Sequence, residues 1–140
     1  ENGRVLVHTD SDIKKQLFEG NTWQHLCDNI IHSLPKKVCV SFDFDGMNAL
    51  YCPNTGTPVP GGFSYEMATY LLSKLAESNK EIIGFDLVEV APGENGDWDG
   101  NVGARMLFHM CGMLAKSQKM NVGEKINFLK YLIICKLDYY

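Results

Sequence analysis

VSFDFDGMNALYCPNTGTPVPGG, residues 40–62, spells out a strand, its end and the loop that follows. The apolar positions Val38, Val40, Phe42 and Phe44 are interrupted only by Cys39, Ser41 and two acids, Asp43 and Asp45. On a strand, residues i and i+2 face the same side, so the pattern predicts that both carboxylates point at one ion. A turn-rich segment follows at once, as where a strand of a parallel α/β sheet ends, and ligands collect at such carboxyl ends. Gly61, Gly62 and the turn at residues 55–58 serve either a close approach of backbone to the site or plain turn chemistry.

Outward from this stretch, the chain alternates helix and strand. Residues 4–8 read as a short strand. Thr22 reads as the cap of a helix in which Trp23, Leu26, Ile30 and Leu34 recur at helical spacing until Pro35. Residues 37–44 form the strand that carries the acid pair. Ser64 opens an amphipathic helix through Met67, Tyr70, Leu71 and Leu75 to about Ser78, and residues 81–90 are the next buried strand. Asp97 or Asp99 caps a helix through Val102, Met106, Leu107, Met110 and Leu114, with Met106, Phe108, Met110 and Met113 read as core. The order β-α-β-α-β-α, without internal repeats, predicts right-handed crossovers and a parallel sheet.

Composition bounds the function classes. With 13 basic and 17 acidic residues the net charge is −4, which gives no electrostatic reason to expect nucleic acid or an anionic membrane surface. No stretch is apolar enough to span a bilayer, and the amino-terminal ENGRVLVHTD does not read as a signal peptide. The five cysteines, Cys27, Cys39, Cys52, Cys111 and Cys135, form no C-x-x-C pair, and Cys39 and Cys111 read as small core residues. The default compartment is a reducing one, cytoplasmic or mitochondrial.

Two ordered motifs carry a resemblance. S-F-D-F-D, with P-x-T-G-T-P-V-P-G-G downstream, resembles the last metal-binding signature of the arginase and agmatinase (ureohydrolase) family. IIGFDLVEVAPG, residues 82–93, resembles that family's strand ending in Asp-x-x-Glu-Val-x-Pro, and WDGNVGAR, residues 98–105, looks like the start of the final helix in its agmatinase and formiminoglutamase branches. The resemblance implies an arginase-like, three-layer α/β/α sandwich with a mostly parallel sheet. Residues 1–118 would be its carboxyl-terminal portion, and residues 119–140 an unmatched apolar tail, read as a possible helix.

The resemblance also implies a chemistry: two manganese ions and hydrolysis of a guanidino or formimino substrate, with release of urea or formamide. Position by position, Asp43 takes the role of the acid that bridges the ions, and Asp45 that of the single-ion ligand. Both thereby become catalytic and metal residues. Glu89 matches the acid that accepts hydrogen bonds from the planar cationic group of the substrate, for which a carboxylate is a natural partner. Asp86 reads as structural, accepting hydrogen bonds from a neighbouring loop. A homo-oligomer is a further implication.

Some of the family pattern is absent. At 140 residues the chain suits one domain, whereas the implied fold is about twice that size, and the family's Asp-x-His-x-Asp signature does not occur. His8-Thr9-Asp10-Ser11-Asp12 comes nearest but reads as a strand end running into a helix cap. Where the family has Asp-Pro after the metal acids this chain has Asn48-Ala49, predicting a freed loop. Two readings follow. One is the carboxyl-terminal portion of a manganese ureohydrolase, inactive without the missing amino-terminal half or a partner chain. The other is a non-catalytic relative acting as a structural or interaction subunit.

Overall fold

The computed structural model describes residues 5–93, 96–119 and Gly123, so the tail expected at residues 119–140 lies, apart from Lys119 and Gly123, outside the described residues. The elements are α1 (Asp10–Phe18), α2 (Trp23–Ser33), β1 (Lys37–Asp43), a 3-10 turn (Phe44–Gly46), α3 (Tyr65–Glu77), β2 (Glu81–Val88) and α4 (Trp98–Ser117). Residues 5–9 are not a strand but exposed, irregular chain. Val5, Leu6 and Val7 there have no sheet neighbour among the described residues, so this short apolar run stays exposed.

Helix starts follow the capping residues seen in the sequence. Thr9, Thr22 and Ser64 accept hydrogen bonds from the backbone N–H groups of Asp12, His25 and Met67, each satisfying one donor of a first turn. α2 stops where Leu34 adopts an extended backbone ahead of Pro35, because the proline ring disfavours helix in the residue before it. α4 differs: Asp97 occupies its N-cap without a side-chain cap hydrogen bond, while Asp99 lies inside the first turn and is fully buried.

β1 and β2 are parallel, and Lys37 to Asp43 run beside Glu81 to Val88. Between Val38 and Cys39 the register shifts, leaving Ile83 as an extra residue on β2. The bulge matters because it keeps the faces in phase: Val38 with Ile82, Val40 with Phe85 and Phe42 with Leu87 point one way. On that face α4 packs on β2 and α3, and α2 packs on α3. The core joins Ile31, Val38, Phe44, Met47, Ile82, Met106 and Met110, among others. The end of α4 also ties off the start of β2, with the Ile82 N–H donating to Ser117 Oγ at 2.9 Å and Gln118 Nε2 donating to the Ile82 carbonyl at 2.7 Å.

Three readings of side chains change. Phe108 is 69% exposed rather than core, although Met106, Met110 and Met113 are buried as expected. Cys39 is exposed because it lies on the sheet face away from the helices. Asp86 accepts its hydrogen bond from Ser41 Oγ at 2.7 Å, across the two strands rather than from a loop.

Candidate functional site

Asp43 is the last residue of β1 and pairs with Val88, the last of β2, so Asp43 and Glu89 emerge from the same end of the sheet. The strand does not continue to Asp45. Phe44, with no exposed surface, turns into the core, and residues 44–46 wind into the 3-10 turn, which Asp43 caps by accepting the Asp45 N–H on Oδ1 at 3.0 Å. The two acids are therefore related by a turn rather than by strand pleat. Asp43 is exposed and Asp45 half-buried.

Asp45 is held by the following loop. Its two carboxylate oxygens accept hydrogen bonds from the Thr55 and Thr57 hydroxyls. Thr55 Oγ1 also lies 3.1 Å from the Glu89 carbonyl oxygen. A hydroxyl has one proton to give, and the charged acceptor makes the stronger bond, so Asp45 takes it. The Glu89 carboxylate comes to the same loop from the other strand: a Cβ placed on Gly56 would lie 3.6 Å from Glu89 Oε2. Asp45 and Glu89 thus flank Thr55-Gly56-Thr57, and Thr55 touches both residues.

Glu89 has φ 61°, in the left-handed region that residues with a Cβ seldom occupy. Such a backbone costs on the order of 1–3 kcal/mol and persists only where its surroundings enforce it.

Neighbouring contacts fix the base of the loop. Asn48 Oδ1 accepts the Leu50 N–H at 3.0 Å, the Asn48 N–H donates to the Phe63 carbonyl at 2.9 Å, and Tyr51 N–H donates to the Asn48 carbonyl at 2.8 Å. Asn48-Ala49 therefore does not free the loop, because an asparagine oxygen closes the same side-chain turn that an aspartate would. Gly62 has φ 78°, and a Cβ there would lie 2.6 Å from the Met47 carbonyl carbon, so only glycine lets the two loop ends meet. Cys52 is buried, and burial first, then the negative charges of Asp99 and Asp45, raises its thiol pKa above the ordinary range.

The histidines lie elsewhere. His25 faces Asn29 and His109 faces Ser73 and the Thr69 carbonyl. In the His8 to Asp12 segment, Thr9 Oγ1 accepts the Asp12 N–H and donates to its carboxylate, and Asp10 sits 3.8 Å from Lys14, so the expected helix cap is present without the expected strand end. Among the described residues no group of three or more His, Cys, Asp or Glu side chains is placed to hold a metal. Asp43 and Asp45 offer hard oxygen donors of the kind manganese takes, but two carboxylates are too few for a pair of ions. The described residues by themselves do not fit that pair. Sequence reasoning assigned no role to Thr55 and Thr57 as partners of Asp45, although their spacing from the acids was in plain view. It took Asp99 only for a cap.

A family model described as the Arginase family matches residues 4–112. An N(1)-aminopropylagmatine ureohydrolase of Thermus thermophilus is 37% identical over 87 residues, 61% of this chain and 29% of the relative. An agmatinase of Pyrococcus horikoshii is 34% identical over 104 residues, 69% of this chain and 36% of the relative. Among solved structures, a proclavaminate amidino hydrolase of Streptomyces clavuligerus superposes with a TM-score of 0.69 over 81% of this chain and 36% of its own, at 24% identity, a likeness of fold. The matched part of the chain thus spans about a third of the length of these relatives. Among the described residues no helix is long and apolar enough to cross a membrane.

Proposed function

The chain belongs to the arginase family, and from that premise we propose that it carries one wall of a manganese ureohydrolase site whose remaining ligands come from a portion outside this sequence. Asp43 and Asp45 would be the metal-binding and catalytic carboxylates, and Glu89 would receive the planar cation of a guanidino or formimino substrate. One observation supports this most: the threonine-held carboxylate of Asp45 and the Glu89 carboxylate meet at one loop, at the carboxyl ends of adjacent parallel strands. What the ion pair supplies when bound is a water acidified enough to act as a nucleophile at neutral pH.

This chain's own part is electrostatic and positional. Two carboxylates 2 residues apart in sequence concentrate negative charge at the strand end, which attracts divalent ions and cationic substrates alike. The hydroxyls of Thr55 and Thr57 fix the rotamer of Asp45, so little order has to be gained when an ion arrives. Glu89, exposed at the loop, offers a charged acceptor for paired N–H donors. Residues 1–118 would form the arginase-like unit, and a homo-oligomer in a reducing compartment, cytoplasmic or mitochondrial, belongs to the same proposal.

The test uses the chain alone and the chain complemented with the amino-terminal portion of a ureohydrolase. Alone, it is expected to retain no stoichiometric manganese after dialysis and to release neither urea nor formamide. Complemented, it is expected to do both, and Glu89→Gln should then cost about 2–4 kcal/mol of transition-state stabilisation with manganese content unchanged, because a charged acceptor is lost and no ligand is. Lost manganese, or unaltered turnover, contradicts the role assigned to Glu89.

A further inference from the structure

We infer that Asp99 is a positioning residue, whose buried carboxylate sets the conformation of the Thr55-Gly56-Thr57 loop and through it the placement of Asp45 and Glu89. The inference rests on the reading of those two acids given above, and deepens it.

Asp99 has no exposed surface, yet it carries a carboxylate and makes no ion pair among the described residues. Taking a carboxylate out of water costs several kcal/mol unless strong hydrogen bonds replace the water, and a well-packed apolar residue is often no worse for stability. Asp99 receives two such bonds from one residue: Oδ2 accepts the Asn54 backbone N–H at 3.0 Å and Oδ1 accepts Asn54 Nδ2 at 2.8 Å. It also sits in the first turn of α4, where free N–H groups favour negative charge. Two bonds to backbone and side chain of one residue fix its position and its orientation together, which an apolar contact cannot do.

The residue so fixed is the neighbour of Thr55. From Pro53 to Gly61 every position is exposed except Thr55, so apolar packing does not hold this loop. Its polar anchors are Asn54 on Asp99, and Thr55 and Thr57 on Asp45. Without the first anchor the second would have to order the loop alone, with Thr55 free to leave both Asp45 and the Glu89 carbonyl. α4 is in turn seated on the strand end from which Glu89 leaves: a Cβ on Gly103 would lie 2.7 Å from Val90 Cγ1, one residue beyond Glu89. The start of α4 therefore places both sides of the site.

The experiment is carried out on the whole 140-residue chain, without metal, so that it stands whether or not a manganese site can be assembled. Thr55 and Thr57 methyl signals and Asn54 amide exchange are followed by NMR in Asp99→Asn, with the exposed Asp97→Asn as control. In Asp99→Asn an amide donor faces the Asn54 donors, so both threonine methyl signals are expected to move, and the Asn54 amide to exchange at least about tenfold faster, in a chain that remains folded. Asp97→Asn should leave these signals in place. Asn54→Ala, which removes only the side-chain bond, guards against an unfolded Asp99 variant and should displace the Thr55 signal alone. A Thr55 signal that superimposes on that of the parent in either folded variant overturns the inference, even if the unfolding midpoint falls. Displaced signals with no activity on complementation would uphold the positioning role and count against the functional reading instead.

Discussion

The two faces of one small sheet are built on different terms. Toward the helices, Val38 and Ile82 are buried, with Val40, Phe42, Phe85 and Leu87 packed around them. On the opposite face Cys39, Ser41, Asp86 and Val88 are exposed, and so is Ile83 at the bulge, although Ser41 and Asp86 satisfy one another. Parallel sheets in compact proteins have both faces covered, and two strands alone are marginal. The difference teaches that, among the described residues, the helix side carries the stability, while the bare side has a composition suited to receiving further structure. On the reading proposed above, that structure is the remainder of the ureohydrolase domain.

Removing a side chain that anchors the covered side should have the largest effect. Phe44 is fully buried in the core and also turns the chain from β1 into the loop that bears Asp45. Phe44→Ala is expected to cost about 3–5 kcal/mol in urea unfolding, the lost transfer energy plus a cavity among Met47, Met106 and their neighbours. A loss of that size is a large part of a domain's total stability, so a partly unfolded sample at 25 °C is an acceptable result and a change below about 1 kcal/mol is not.

The same contrast explains what could be read in advance. Caps at Thr9, Thr22 and Ser64 and the two strands were legible because each depends on residues within one turn or on period-2 alternation. Residues 5–8 are not a strand because a short apolar run says nothing about whether a partner strand exists. Cys39 was misplaced for a related reason: in a parallel sheet both faces are expected to be apolar surroundings, and here only one is. At the site, the acids and Glu89 were legible as residue types at a strand end. The Thr55 and Thr57 bonds and the Asp99 anchor were not, since they depend on how a loop of exposed residues folds back over 10 to 45 positions.

A second effect, intermediate in size, comes from thiols on the covered side. Burial, with Asp28 adding to it, raises the Cys27 pKa from 9.0 to about 11, and burial also raises those of Cys52 and Cys111. A raised pKa means that the folded chain holds the proton more tightly than the unfolded one. The stabilisation is complete below pH 9 and is lost as pH climbs toward about 11, so stability must fall with pH across that window. Cys27→Ala removes one of these groups. Whatever its cost at pH 7, its unfolding free energy should decline less steeply from pH 9 to 11 than that of the parent, by on the order of 2 kcal/mol over the window. Parallel pH profiles for the two proteins would mean that the Cys27 thiol is not desolvated.

The smallest effect should come from the bare face, and its smallness is the point. Ile83 is 56% exposed, lies at the bulge where it has no partner on β1, and contributes nothing to the core around Ile82. Ile83→Lys should therefore change the stability of the chain alone by no more than about 0.5 kcal/mol, the range of a surface substitution. In the complemented protein the outcome should reverse. If the remainder of a ureohydrolase covers this face, a lysine there leaves a charge to be desolvated without a partner, and association should weaken by at least about tenfold. Titrating the amino-terminal portion against parent and variant chains measures this directly. Equal affinity would show that Ile83 stays in water in the assembled protein and that the two portions meet along a strand edge or elsewhere. A large loss of stability in the chain alone would show that the bare face is already covered, and the contrast between the two faces would fail.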